Sequence, residues 1–68
     1  MHLAEVNMLP ADNYMLLSFI NMKLRDFYDS LDSLCDDLDE SRSDIESRLE
    51  SIGYIYNIDL NKFIEKAL

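Results

Sequence analysis

The chain has 68 residues, enough for one small domain, and its 14 acidic and 6 basic residues give a formal net charge of −8. A surface this negative repels phosphate backbones and anionic lipid headgroups, which disfavours nucleic acids and membranes as partners. The only cysteine excludes an internal disulfide, and the only histidine, His2, leaves too few nitrogen and sulfur ligands for a zinc site.

A first helix is predicted over residues 13–28, which contain no glycine or proline. Pro10 stops any helix entering from residues 1–9, which we expect to be a loosely ordered lead-in to a single domain over residues 10–68. Asp12 is a suitable N-cap. The main apolar face of this helix comprises Leu16, Leu17, Ile20, Leu24 and Phe27, and a polar seam comprises Ser18, Asn21 and Arg25.

A second apolar stripe on this helix consists of Met15, Phe19 and Met22, spaced i, i+4 and i+7. Methionine-rich apolar surfaces adapt to partner helices, so the stripe is the candidate contact with another protein or with a second subunit of a homodimer. The alternative is that the C-terminal segment folds back over the stripe and makes it ordinary core. The bulky side chains available for this are Tyr54, Tyr56 and Phe63.

Two shorter helices are predicted over residues 31–38 and 42–52. Ser30 is a suitable N-cap for the first of them. Ser41, followed three residues later by an acid, fits the capping box that begins the second, and Gly53 is expected to end it in the left-handed conformation. The expected core residues are Leu31, Leu34, Cys35 and Leu38 from one helix, and Ile45, Leu49 and Ile52 from the other.

The spacing of the C-terminal residues is compatible with two structures. Tyr54-Ile55-Tyr56 favours a strand by residue type, and Lys62-Phe63-Ile64 is available as its partner, with Asn61 as a left-handed turn residue. The alternative over residues 59–68 is a fourth helix capped by Asp59. Its apolar face would comprise Leu60, Phe63, Ile64 and Ala67.

A distinctive block runs from Met15 to Asp26 and is preceded by Met8-Leu9-Pro10. Further blocks are Ser30-Leu31-Asp32, Leu34 to Leu38, Ile52-Gly53-Tyr54, Tyr56, Asn61 and Phe63. Together these blocks resemble the family of small bacterial proteins catalogued as domain of unknown function 4250. The resemblance implies no particular activity, but it implies a tight C-terminal hairpin. We therefore predict a mostly α fold: a three-helix bundle of helix-turn-helix-like arrangement with a short C-terminal β-hairpin.

Helices in this order, followed by a hairpin, are also typical of winged-helix DNA-binding domains, in which the third helix enters the major groove. The exposed side of that helix carries more acids than bases here, so direct DNA binding is disfavoured. The exposed residues are Ser43, Asp44, Glu46, Ser47, Arg48 and Glu50.

No set of residues predicts an enzyme, a cofactor site or a metal site. Cys35 has no neighbouring base to form a thiolate, so a core position is expected. Gly53 is the only glycine, which excludes a glycine-rich phosphate loop. The acids in the last turn of the second helix and directly after it lack the alternating ligands and central glycine of a calcium loop. These acids are Asp36, Asp37, Asp39 and Glu40.

The sequence therefore predicts a non-enzymatic protein-interaction module that is able to self-associate. The alternative is a winged-helix regulator with weak or indirect DNA contact. A single free cysteine, no signal-peptide pattern and no apolar stretch of ~20 residues favour the cytoplasm as its location.

Overall fold

The computed structural model describes residues 9–67, in which three helices precede a two-stranded antiparallel sheet. The elements are α1 (Asn13–Asp26), α2 (Leu31–Leu38), α3 (Arg42–Glu50), β1 (Tyr54–Asn57) and β2 (Lys62–Glu65). The predicted helices and hairpin are confirmed, and the fourth helix considered for the C-terminal residues is wrong. The predicted lead-in lies outside the described residues except for Leu9, whose side chain packs against the core.

Each helix begins after the polar residue that the sequence predicts as its N-cap. The side chains of Asp12, Ser30 and Ser41 each accept a hydrogen bond from the backbone N–H three residues later. These bonds satisfy donors that have no partner within the first turn of a helix, and they fix where each helix begins.

The C-terminal ends of the helices differ more from the predictions than their N-terminal starts do. α1 ends at Asp26, and Phe27 leaves the helix with φ of −131°. The side chain of Phe27 is therefore 66% exposed, and the prediction that it belongs to the main apolar face is wrong. α3 ends at Glu50 because Ile52 and Gly53 donate to carbonyls only three residues back, which tightens the last turn.

The core is built from one face of each helix together with one aromatic ring from the hairpin. Phe63 supplies that ring and is 2% exposed. Its ring centroid lies 5.5 Å from that of Tyr56, in a tilted arrangement. The other buried core residues are Leu16, Ile20, Leu24, Leu31, Leu34, Cys35, Ile45 and Leu49.

The residue directly before each strand of the hairpin has positive φ. Gly53 has φ of 89° and Asn61 has φ of 53°, as predicted for a helix stop and a left-handed turn residue. β1 follows Gly53 and β2 follows Asn61, and the two strands pair so that Ile55 lies opposite Ile64 and Tyr56 lies opposite Phe63. Side chains alternate between the faces of a strand, so buried Phe63 marks the face of the hairpin that packs on the helices.

The hairpin is held on α1 by two asparagine side chains. Asn21 accepts from the backbone N–H of Phe63 at 2.8 Å and donates to its C=O at 3.1 Å. Asn61 donates to the C=O of Leu24 at 3.2 Å and to that of Tyr28 at 2.9 Å. The hairpin is thus tied to the polar seam of α1 and to its C-terminal end.

Candidate functional site

The stripe predicted on α1 is only partly covered by the rest of the domain. Met15 is 63% exposed, whereas Phe19 and Met22 are half-buried and Phe19 also packs against the core. The hairpin does not close over Met15, because β2 reaches α1 through Asn21 on the polar seam. Of the three aromatic side chains proposed to cover the stripe, Phe63 lies in the core instead.

The apolar row continues beyond the residues predicted from spacing. The Nζ of Lys23 lies 5.5 Å from the ring centroid of Phe19 and 4.8 Å from that of Phe27. Met15, Phe19 and Lys23 follow one another at four-residue intervals on α1, which gives one continuous diagonal row. Phe27 lies just past the end of the helix, and the contact of its ring with Lys23 extends the row. We call Met15, Phe19, Met22 and Phe27, together with Lys23, the α1 stripe.

Both arginines of α3 make hydrogen bonds within the domain. Arg42 donates to Asp32 at 2.8 Å and to Glu46 at 3.4 Å. Arg48 donates to the backbone carbonyls of Pro10 at 2.6 Å and Ala11 at 2.9 Å, which ties the start of the domain to α3. Both guanidinium groups are therefore used within the domain.

The acids in the last turn of α2 and directly after it lie on the surface. Asp36, Asp37 and Asp39 are exposed, and the hydroxyl of Tyr28 donates a hydrogen bond to Asp37. That hydrogen bond raises the pKa of Tyr28. Across residues 9–67, no three His, Cys, Asp or Glu side chains lie close enough together to hold a metal ion.

Cys35 is a core side chain, as predicted, with 6% of its surface exposed. Burial raises the pKa of its thiol, because the low-dielectric core disfavours the thiolate, while Arg42 opposes this effect. At neutral pH the group is therefore a neutral thiol rather than a nucleophile.

A thiol reagent is expected to label Cys35 roughly a hundredfold more slowly in the folded chain than in urea, because labelling requires opening of the core. Because the opened chain is the species that reacts, the labelling rate of the folded chain should rise with pH over the same range as that of the unfolded chain. Absorbance after addition of an aromatic disulfide reagent measures both rates. Equal rates in the two states would contradict the burial of this side chain.

The model of the family described as Domain of unknown function (DUF4250) matches residues 10–63 of the chain. The chain belongs to this family. The match covers α1, α2, α3, β1 and the first two residues of β2, so it includes the α1 stripe and most of the hairpin. No curated protein and no solved structure matches the chain.

Two functional features of the domain were not found from the sequence pattern. Asn21 was predicted only as part of a polar seam, and its pairing with Phe63 joins residues 42 positions apart. Phe27 was predicted on the main apolar face of the first helix, although its exposed ring lengthens the stripe. The sequence pattern did not show that α1 ends before Phe27.

Among the described helices, none combines the length and the apolar character needed to cross a membrane.

Proposed function

We propose that this chain is a non-enzymatic, cytoplasmic protein-interaction module whose α1 stripe binds the apolar face of a basic helix in a partner protein. The observation that carries the proposal is the exposure of two large apolar side chains in the row, Met15 at 63% and Phe27 at 66%. Large apolar side chains grouped along one helix offer area that a partner helix removes from water.

The charge of the chain supports a basic partner over a second copy of the same chain. Two copies with a net charge of −8 each repel one another, whereas the negative charge of the chain attracts a cationic helix before the two make contact. The two methionines of the α1 stripe, Met15 and Met22, also favour a helix, because flexible thioether side chains adjust to different apolar surfaces. Self-association through the stripe is the competing arrangement within this proposal.

The experiment uses the chain labelled with carbon-13 at its methionine methyl groups, and a synthetic amphipathic helix of leucine and lysine as the probe. We expect the methyl signals of Met15 and Met22 to shift on addition of the peptide. Phe27→Ser should weaken binding about tenfold, since burying a phenylalanine ring contributes at least 1.4 kcal/mol. Phe27 is exposed, so the variant is expected to fold.

The matched control is Ile58→Ser, which removes a side chain that is 76% exposed on the hairpin loop. This control should bind the peptide as the natural chain does. An equal effect of both substitutions, or peptide binding that leaves the Met15 signal unmoved, would contradict the proposal. Sedimentation measured at several protein concentrations tests for a homodimer. If the α1 stripe forms the contact between the two copies, Phe27→Ser should dissociate that dimer.

A second candidate function is a winged-helix regulator that contacts DNA weakly or as part of a complex. The order of helices followed by a hairpin favours it. The electrostatics disfavour it, because a net charge of −8 repels the phosphate backbone of DNA. Retardation of a random DNA duplex in a gel at low salt would support this candidate over the first.

A further inference from the structure

The two edges of the hairpin differ in whether their backbone groups have partners. On the β2 edge, the N–H and C=O of Phe63 both bond to the side chain of Asn21. These groups therefore point away from β1, and Phe63 with Tyr56 forms a non-hydrogen-bonded pair of the antiparallel ladder. The same geometry turns the N–H and C=O of Tyr56 away from β2.

Alternation along the strand extends this argument to Tyr54. Every second residue of a strand directs its backbone groups to the same side, so Tyr54 presents its N–H and C=O at the same edge as Tyr56. The bond from the N–H of Lys66 to the C=O of Gly53, at 2.7 Å, fits this alternation. Within residues 9–67, no backbone or side-chain group outside the ladder bonds to these four groups of Tyr54 and Tyr56.

A groove runs beside this open edge. One wall is formed by consecutive residues of β1, and the other by Glu46 and Glu50, one turn apart on α3. Each carboxylate has a single ion pair, Glu46 with Arg42 at 3.4 Å and Glu50 with Lys66 at 3.3 Å. Exposed pairs of this kind are weak, so both carboxylates keep the capacity to accept further hydrogen bonds. The groove is lined by Glu46, Glu50, Tyr54, Ile55, Tyr56 and Phe63.

We propose that the open edge of β1 binds an extended segment of a partner protein that alternates basic and apolar side chains. The segment adds a third strand to the hairpin through the outward backbone groups of Tyr54 and Tyr56. Its basic side chains, on one face, lie toward the carboxylates of α3. Its apolar side chains, on the other face, lie beside Ile55, which is 40% exposed.

A second copy of this chain is a poorer occupant of the edge. Pairing β1 with β1 of another copy would bring Glu46 and Glu50 of both copies together, in two chains that each carry a net charge of −8. Like charges brought together across an interface are destabilising. This surface is separate from the α1 stripe, so the proposal goes beyond the function proposed above and does not depend on it.

The test uses the full chain labelled with nitrogen-15 and a blocked peptide of three Lys-Val repeats as the probe. We expect the amide signals of Tyr54 and Tyr56 to shift and their N–H groups to exchange more slowly with solvent. A blocked peptide of three Glu-Val repeats has the same apolar side chains and backbone. It should leave both signals unchanged, because the carboxylates of α3 repel it.

A double variant measures the part played by the carboxylates. Glu46→Gln with Glu50→Gln should weaken binding of the Lys-Val peptide roughly threefold or more, as expected for the loss of two exposed ion pairs. Asp36→Asn with Asp59→Asn changes the net charge equally at two exposed positions away from the groove, and it should leave the affinity close to that of the natural chain.

Three outcomes would overturn this proposal. Equal binding of the two peptides would show that the carboxylates do not select the ligand. Shifts confined to residues of the α1 stripe would show that the peptide binds there instead, which leaves the function proposed above intact. Shifts of Tyr54 and Tyr56 that grow with protein concentration in the absence of peptide would show that a second copy occupies the edge.

Discussion

Replacing Asn61 by Ala is expected to lower the free energy of unfolding by about 3 kcal/mol, through unsatisfied hydrogen-bonding groups and a strained backbone. A core of this size rarely supplies more than ~3–5 kcal/mol, so much of the variant population should be unfolded at physiological temperature. Urea denaturation followed by circular dichroism at the helical wavelength measures the change.

The size of this effect comes from the number of elements that Asn61 joins. Its amide nitrogen donates to the carbonyls of Leu24 and Tyr28 at the end of α1. Its amide oxygen accepts from the hydroxyl of Tyr56 at 2.6 Å, and that hydroxyl oxygen accepts from the N–H of Leu31 at 3.2 Å. One side chain thus connects α1, the start of α2 and the hairpin, so its removal leaves several partly buried groups without partners.

The backbone conformation of residue 61 adds a second contribution to the loss of stability. A matched variant separates this contribution from that of the lost hydrogen bonds. Asn61 has φ of 53°, a conformation that costs alanine roughly 1–2 kcal/mol and costs glycine little. Asn61→Gly loses the same hydrogen bonds without this strain, so it should be more stable than Asn61→Ala and less stable than the natural chain. An alanine variant as stable as the natural chain would show that the network contributes nothing.

Replacing Asn21 by Leu is expected to cost about 2 kcal/mol, the usual penalty for leaving partly buried backbone groups unsatisfied. The amide of Asn21 pairs with the N–H and C=O of Phe63 in the way that a neighbouring strand would. Leucine has a similar size but neither donor nor acceptor. The edge of β2 would therefore face an apolar side chain, and the hairpin should detach more readily from α1.

Amide hydrogen exchange at Phe63 is the specific measurement for this variant. Its N–H should exchange at least about tenfold faster in Asn21→Leu than in the natural chain, corresponding to a loss of 1.4 kcal/mol or more in local stability. Ser18→Leu places the same side chain at an exposed position of the same seam, and should change stability by no more than about 0.5 kcal/mol. Unchanged exchange at Phe63 in Asn21→Leu would refute the edge-pairing role.

Local features of this fold were predictable because they depend on residues close together in the chain. The N-caps at Asp12, Ser30 and Ser41 need only a side chain and an N–H three residues away. The positive φ of Gly53 and Asn61 follows from residue types that tolerate this conformation. The core faces of the three helices follow from helical spacing, with errors near helix ends, where Phe27 left the helix early.

The choice between hairpin and fourth helix could not be made from the spacing of residues 59–68. It depended on the family resemblance, and physically it depends on distant contacts. Asn21 and Asn61 provide hydrogen bonds to the hairpin arrangement across 42 and 37 positions of the chain. A side chain that supports the hairpin from so far away leaves no periodic signal in the segment itself.

The two candidate binding surfaces likewise depend partly on local spacing in the chain and partly on distant contacts. The sequence by itself identified the apolar stripe of Met15, Phe19 and Met22, because helical spacing determines which side chains share a face. Only the tertiary structure decided that Met15 stays exposed and that β1 keeps an open edge. Exposure and an open edge depend on where the hairpin docks. Asn21 holds β2 against the polar seam of α1, which occupies the outer edge of β2 at Phe63 and leaves the outer edge of β1 open.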